Sequence, residues 1–283
     1  MLTVNDLSFS YGSQKLFSGL ELSLAGGGIC GLLGKNGAGK TTLLKLLAGL
    51  LFPQQGVVQA VGHCPAGRSR DFLCELFFVP EEFRLPAVTS MQYQRLFAPF
   101  YPRFDADRYQ TLLDEFGLDA QRNLTRCSFG QRKKCLLAFC LAAGCRLAFL
   151  DEPTNGLDIP SKSQFRRALA SVATEDRLFI IATHQVRDLE SLIDPVVILD
   201  EGRVIFNQTM EAVSRCLRVN LQDTPPGDDE ALFCEKTLEG FRVVQENTGN
   251  DEAHMDLELL FNTVVQNREN VAAVFKRRST HES

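Results

Sequence analysis

Residues 34–41 read Gly34-Lys35-Asn36-Gly37-Ala38-Gly39-Lys40-Thr41. This fits the spacing G-x-x-x-x-G-K-[ST] of a phosphate-binding loop. Glycines at that spacing let the backbone curl until several N–H groups point at one anion. A helix starting at the end of the loop adds the positive end of its dipole. Lys40 is then placed to reach the β- and γ-phosphates of a nucleotide, and the Thr41 hydroxyl to ligate Mg²⁺. Farther along, Leu147-Ala148-Phe149-Leu150-Asp151-Glu152 is an apolar run ending in two carboxylates. An Asp-Glu pair alone at a strand end is usually a solvated edge. Beside a phosphate loop, Asp151 would bind Mg²⁺ through water, and Glu152 would orient and deprotonate an attacking water.

Those side chains need particular elements behind them. Ile29-Cys30-Gly31-Leu32-Leu33 is a short apolar run, as expected of a strand buried on both faces. Thr42–Ala48 predicts a helix stopping near Gly49. Before them, Leu2-Thr3-Val4, Leu7-Ser8-Phe9, Leu16-Phe17 and Leu20–Leu24 predict short strands with turns. The stretch from about Arg84 to Gly144 reads as mostly helical. Asp105 is the expected cap of a helix ending at Gly117, and Ser128 of one running to Ala143. Leu147–Leu150 and Leu178–Ala182 are strand-length apolar runs, and Val196–Phe206 predicts a hairpin turning at Gly202.

The order of these motifs resembles the ATP-binding cassette (ABC) family, the nucleotide-binding subunits of transporters. Cys127-Ser128-Phe129-Gly130-Gln131 is similar to its Leu-Ser-Gly-Gly-Gln signature, with Gln131 preceding Asp151 by about the family's usual interval. Gly156-Leu157-Asp158 resembles its D-loop, and His184, after Leu178–Thr183, its switch histidine. Tyr11 stands where the family has an aromatic stacking on adenine. The resemblance spans about residues 2–214. It implies an α/β fold: a P-loop NTPase core whose mixed sheet is flanked by helices, an N-terminal antiparallel β-subdomain and a helical signature subdomain at about 84–144. A small C-terminal α+β extension at 215–283 would follow the cassette of 1–214. It also implies a mechanism. Two cassettes, alike or different, pair head to tail, with ATP between one phosphate loop and the other signature. Lys40, Glu152 and His184 are the expected catalytic set. Tyr11, Gly34, Asn36, Gly37, Ala38, Gly39, Thr41 and Thr42 would hold the nucleotide, and Thr41, Asp151 and Glu81 the Mg²⁺. Ser128, Gly130 and Gln131 would face the partner's ATP, and Asp158 would signal across the dimer.

The pattern departs from the family in two places. Phe129 replaces the first signature glycine, and phenylalanine enters the positive-φ region only at a cost. If the loop needs that conformation there, the ATP sandwich is weakened. Glu81 in Phe78-Val79-Pro80-Glu81-Glu82 takes a position usually held by Gln, adding negative charge near the γ-phosphate. Phe83, Tyr93, Phe97, Phe100, Tyr101 and Phe104 make the following segment aromatic. They read either as the core of the helical subdomain or as a groove for a membrane subunit.

The chain has 283 residues, with 45% hydrophobic and 23% charged. A net charge of −5 speaks against a chain that coats nucleic acid. Basic and acidic residues balance over 1–214, so the whole excess falls in 215–283. No run matches the roughly 20 apolar residues of a membrane span, and Met1–Asp6 show no leader pattern. The expectation is a peripheral protein on the cytoplasmic face of a membrane, with transport through a separate permease subunit. Nine cysteines without a Cys-x-x-Cys pair read as buried thiols, with Cys127 at a helix start as the one placed to be reactive. In the extension, 224–230 reads as a linker. Leu257, Leu260, Phe261 and Val264 share one helical face, and Lys276-Arg277-Arg278 reads as a solvated tail. The rival readings are a soluble, non-transport ABC ATPase and a regulatory module that binds nucleotide but hydrolyses it poorly.

Overall fold

The computed structural model describes residues 1–227, 231–249 and 255–281. Twelve strands are described. They are β1 Leu2–Tyr11, β2 Gln14–Leu24, β3 Gly28–Leu33, β4 Gln55–Ala60, β5 Leu76–Val79, β6 Leu147–Asp151, β7 Leu178–Thr183, β8 Val196–Asp200, β9 Arg203–Gln208, β10 Leu217–Gln222, β11 Phe233–Thr237 and β12 Gly240–Glu246. The helices are α1 Lys40–Leu47, α2 Arg70–Cys74, α3 Ser90–Phe97, α4 Ala106–Glu115, α5 Phe129–Ala142, α6 Ile159–Ala170, α7 Met210–Cys216, α8 Leu257–Gln266 and α9 Arg268–His281.

The central sheet has the order β5-β6-β7-β3-β8-β9. All its pairs are parallel except β8 with β9. Every residue of β6 and β7 is buried, which a parallel sheet requires because it is covered on both faces. One face packs against α1 and the antiparallel sheet β2-β1-β4, through Leu43, Leu47, Phe17 and Phe72. The other face meets the helical subdomain and the C-terminal extension in a second apolar cluster. The two expected short strands at the N-terminus form one strand, β1. It stays continuous because the register shifts between Val4 and Leu7, where Asp6 has φ 49°, a bulge that absorbs the irregular spacing.

The order β6-β7-β3 matters most for function. It sets the carboxyl ends of three strands side by side, where open parallel sheets bind ligands. Asp151 pairs with Ala182, and Leu32 pairs with the same residue from the other side. The phosphate loop, the Asp151-Glu152 pair and His184 therefore leave the sheet at one level.

The helical subdomain is built by its caps as well as its apolar faces. Asp105 accepts from the Arg108 N–H to start α4, and Gly117 (φ 64°) ends it. Ser128 and Gln131 form a reciprocal capping box at the start of α5. In the extension, α7 carries the chain through residue 214 into the antiparallel sheet β10-β12-β11. Phe275 of α9 packs edge-on against Phe206 of β9 at 5.3 Å, and α8 lies on the same apolar cluster as the central sheet. In the expected solvated tail Lys276 and Arg277 are indeed exposed, but the run belongs to α9 and is anchored: Arg277 pairs with Glu246 at 2.5 Å, and Arg278 donates to the Asn247 carbonyl. Within the expected linker 224–230, residues 228–230 lie outside the described residues. Among the described residues, no helix is long and apolar enough to cross a membrane.

Candidate functional site

The phosphate loop leaves β3 and enters α1 through Gly39, which has φ 103° and is the helix N-cap. Only glycine takes that backbone without strain. A Cβ there would also lie 2.8 Å from the Phe17 ring. Lys40 folds back over its own loop and donates to the carbonyls of Gly34 (2.6 Å) and Lys35 (3.2 Å). Burial pushes its ammonium below the usual lysine range, opposed by the charges of Glu152, Asp151 and Glu81. Tyr11, half exposed, reaches the Thr42 hydroxyl at 3.3 Å and so stands beside the first turn of α1.

Across the loop, the Thr41 hydroxyl donates to Asp151 Oδ2 at 2.7 Å. Burial raises the Asp151 carboxyl above its ordinary range, partly offset by that hydrogen bond. Glu152 is buried and has φ 44°, a left-handed backbone that side chains adopt at a cost of about 1–3 kcal/mol. Groups on every side hold it there. Its N–H donates to the Ala182 carbonyl at 2.8 Å. Its carboxylate accepts from the Thr183 hydroxyl (2.9 Å) and the His184 N–H (3.0 Å), and His184 Nδ1 lies 2.6 Å from Oε1. A buried carboxylate with this many donors has a fixed direction, which a general base needs.

The remaining motifs gather at the edge of this centre. Glu81, exposed, accepts from Asn155 Nδ2 at 3.0 Å, and Asn155 in turn accepts from Gln185 Nε2 at 2.9 Å. Asp158 caps α6 by accepting from the Ser161 N–H, and hydrogen bonding from the Ser161 hydroxyl, with that N–H second, holds its carboxyl below the usual range. The side chains of Ser128 and Gln131 are spent on their capping box, and neither hydrogen-bonds the phosphate loop. Phe129 does not occupy the positive-φ region. It is the first residue of α5, so the weakening expected from a strained Phe does not arise. The demand for glycine moves to the D-loop instead. Gly156 has φ 78°, and a Cβ there would lie 2.7 Å from the Phe129 ring. The Cys127 thiol donates to the Asn123 carbonyl at 3.6 Å.

Comparison with known proteins gives this geometry a family. A family model described as ABC transporter matches residues 17–155. The bacitracin transport ATP-binding protein BcrA of Bacillus licheniformis is 30% identical over 209 residues, 72% of this chain and 68% of that one. The chain belongs to the ABC transporter family. The ABC transporter ATP-binding protein NatA of Bacillus subtilis is 29% identical over 225 residues, covering 75% of this chain and 91% of its own. A solved ATP binding subunit of an ABC transporter aligns with TM-score 0.68 at 26% identity, over 76% of this chain and 92% of that one. A dimeric ATP-binding cassette bound to ADP and Pi, 20% identical with TM-score 0.65 over 74% of this chain and 98% of that one, shares the fold. The expected α/β fold is therefore the ABC ATPase fold, and the chain is an ATP-binding subunit of that family.

Two features of this ABC ATPase lie outside the expected motifs. The extension walls one side of a cavity of about 470 Å³ next to the switch histidine, where Glu258 and Phe261 of α8 face Gly34, Lys35 and His184. Glu258 accepts from Arg187 at 2.7 Å, and Glu190 accepts from the Leu257 N–H at 2.7 Å. The second feature is Lys133, in the basic run Arg132-Lys133-Lys134 that follows Gln131. It is fully buried and donates to the Glu152 carbonyl at 3.0 Å. The signal was its place on α5. Phe129, Lys133, Leu136, Leu137 and Cys140 fall at helical spacing on one stripe, and all but Phe129 are buried.

Proposed function

We propose that this chain is the ATP-hydrolysing engine of an exporter-like transporter, working at the cytoplasmic face of a membrane on a separate permease subunit. Two cassettes pair head to tail around ATP, with Tyr11 on the adenine and the loop from Gly34 through Asn36, Gly37, Ala38 and Gly39 to Thr42 around the phosphates. Lys40 leaves its own carbonyls to meet the β- and γ-phosphates. Glu152 takes a proton from the attacking water, and His184 steadies that water and the γ-phosphate. Ser128, Gly130 and Gln131 present the start of α5 to the partner's ATP, and Asp158 relays its state across the dimer. The observation that carries the reading is the Glu152 carboxylate: buried, hydrogen-bonded to Thr183 and His184, and one residue past an Asp that holds the phosphate-loop Thr41. Relatives named for bacitracin transport, daunorubicin resistance and Nod factor export support an export role.

Thr41, Asp151 and Glu81 offer only oxygen atoms, the donor type Mg²⁺ prefers. Among the described residues, no three His, Cys, Asp or Glu side chains form a metal cluster. A cation here would therefore lean on few protein ligands and on the nucleotide, as Mg²⁺ does. When bound, Mg²⁺ supplies charge neutralisation at the phosphoryl oxygens. Glu81 adds a negative charge close to that position, so turnover should depend more strongly on Mg²⁺ than it would with a glutamine at 81. ATPase rates of wild type and Glu81→Gln titrated with Mg²⁺ should show half-saturation moving for the variant; superimposable curves would sink the idea.

A cavity of about 720 Å³ between the sheet core and the helical subdomain fits the permease contact. It is lined by Leu50, Leu73, Phe78, Pro99, Phe100 and Tyr101. Of the aromatic segment, Phe100 is 64% exposed, whereas Tyr93 is buried against Phe139. A photo-cross-linker at position 100 should label the membrane subunit in the assembled complex. Failure to label it from position 100, while a cross-linker placed in the C-terminal extension does label it, would rule the groove out.

A further inference from the structure

Lys133 is an expensive residue to bury. An isolated ammonium away from water is strongly disfavoured unless polar groups surround it, and an apolar side chain of similar size would pack there without that cost. None of the described ion pairs includes Lys133. It is held by two backbone carbonyls and two rings. Nζ lies 3.0 Å from the Glu152 oxygen, 3.4 Å from the Glu81 oxygen, and 5.7 and 5.9 Å from the ring centres of Phe83 and Phe129. The rings also contact each other at 5.4 Å, and an ammonium over aromatic faces is attracted by their quadrupoles. The carboxylates of Glu81, Asp151 and Glu152 favour its charge, while burial opposes it.

The group it holds is the one under strain. Glu152 keeps a left-handed backbone because its neighbours over-determine it. The N–H side of the residue is fixed by Ala182, and the carboxylate by Thr183 and His184. Its carbonyl accepts from Lys133 at 3.0 Å and from the Asn155 N–H at 3.2 Å. Without Lys133 the carbonyl keeps only the longer bond from Asn155 within its own turn, so the strained backbone can relax and the carboxylate turns with it. None of the described hydrogen bonds joins Lys133 to the phosphate loop, so Lys40 and Thr41 should keep their geometry.

We propose that Lys133 is a positioning residue for hydrolysis: its ammonium, reaching from the signature helix to the Glu152 and Glu81 carbonyls, holds the Glu152 backbone in the conformation that aims its carboxylate. This rests on Glu152 being the general base. It also ties the start of α5, which carries Ser128, to the base through one side chain. A shift of the helical subdomain is thereby felt at Glu152.

The test is the full chain, assembled with its membrane subunit, carrying Lys133→Met. Lys133→Leu is a second apolar variant should the first not fold, and Lys133→Gln keeps an N–H donor on a shorter stem. The apolar variants should bind ATP within about twofold of wild type while kcat falls roughly 10–100-fold, the scale of an ångström-level misplacement. Lys133→Gln should retain more turnover than either. On a Glu152→Asp background the Lys133→Met loss should shrink, because both changes act through one carboxylate. A kcat within twofold of wild type in the apolar variants overturns the proposal, as do losses that simply multiply on the Glu152→Asp background. If wild type has no turnover that Glu152→Gln removes, the hydrolysis reading itself fails and takes this inference with it; turnover lost with Glu152→Gln but kept without Lys133 overturns this inference alone.

Discussion

Glu152→Gln is expected to lower ATP turnover by about 10²–10⁴-fold, the usual weight of a general base, without impairing ATP binding. The substitution keeps the size of the side chain in a buried site that has no room to spare. It removes the proton acceptor and one of the negative charges facing Lys40. One acceptor oxygen remains for the His184 N–H, and the Thr183 hydroxyl can turn toward another partner, so the pocket survives. The contacts proposed for Lys40 and Thr41 with the nucleotide, and Asp151 which holds Thr41, are left in place by the change. Bound ATP that is not hydrolysed should then hold two cassettes together. Phosphate release measures the first effect, and size-exclusion chromatography with and without ATP measures the second. A variant that hydrolyses ATP at the wild-type rate would remove Glu152 from the mechanism, whereas a wild type without turnover would favour the regulatory-module reading. A dead variant that stays monomeric with ATP would instead separate the base from the dimer.

Most of this site was legible because its motifs are local. The phosphate loop, the Asp151-Glu152 pair and the Ser128 capping box each lie within a few residues of chain, and each carries its own spacing rule. Their meeting was legible only through the resemblance, since it depends on the strand order β6-β7-β3, which no local pattern encodes. Lys133 shows the limit. Its partners lie on β5's exit loop, on α5 and past the end of β6, and what it binds are carbonyls, which every residue has. Side-chain identity therefore gave no clue to the partner; only a lysine within an apolar stripe did. Phe129 is the opposite case. The sequence leaves open whether position 129 needs a glycine's backbone; the start of α5 is ordinary helix, and the positive φ sits at Gly156 beneath the ring. Arg277 and Arg278 read as a tail because a basic run near a chain end usually is solvated. Their partners on and just after β12 are some thirty residues back in the chain.

The aromatic segment after Glu82 divides by burial into a core and a surface, and one pair of substitutions separates the two. Phe139 of α5 is fully buried and is ringed by Phe104 (4.8 Å), Tyr93 (5.1 Å), Phe77 (5.6 Å), Tyr109 (5.7 Å) and Tyr101 (5.8 Å). Five rings that lean on a sixth cannot all move into the space it leaves. Phe139→Ala should therefore cost about 3–5 kcal/mol, the range for a large aromatic truncated in a rigid core. Against a total stability of about 5–15 kcal/mol for a typical domain, that is a large share. Chemical denaturation should show it as a lower midpoint, with helical signal lost first where the helical subdomain melts. Phe100→Ala, on the exposed rim of the groove, should change stability by no more than about 0.5 kcal/mol and weaken only the hold on the membrane subunit. A Phe139→Ala cost below about 1 kcal/mol would mean the rings repack freely. Tyr101 is the residue that joins the two roles. It leans on Phe77 and Phe139 inside and lines the groove outside. Pressure from a permease helix in the groove would therefore reach α5 through that ring, and α5 carries both Ser128 and Lys133.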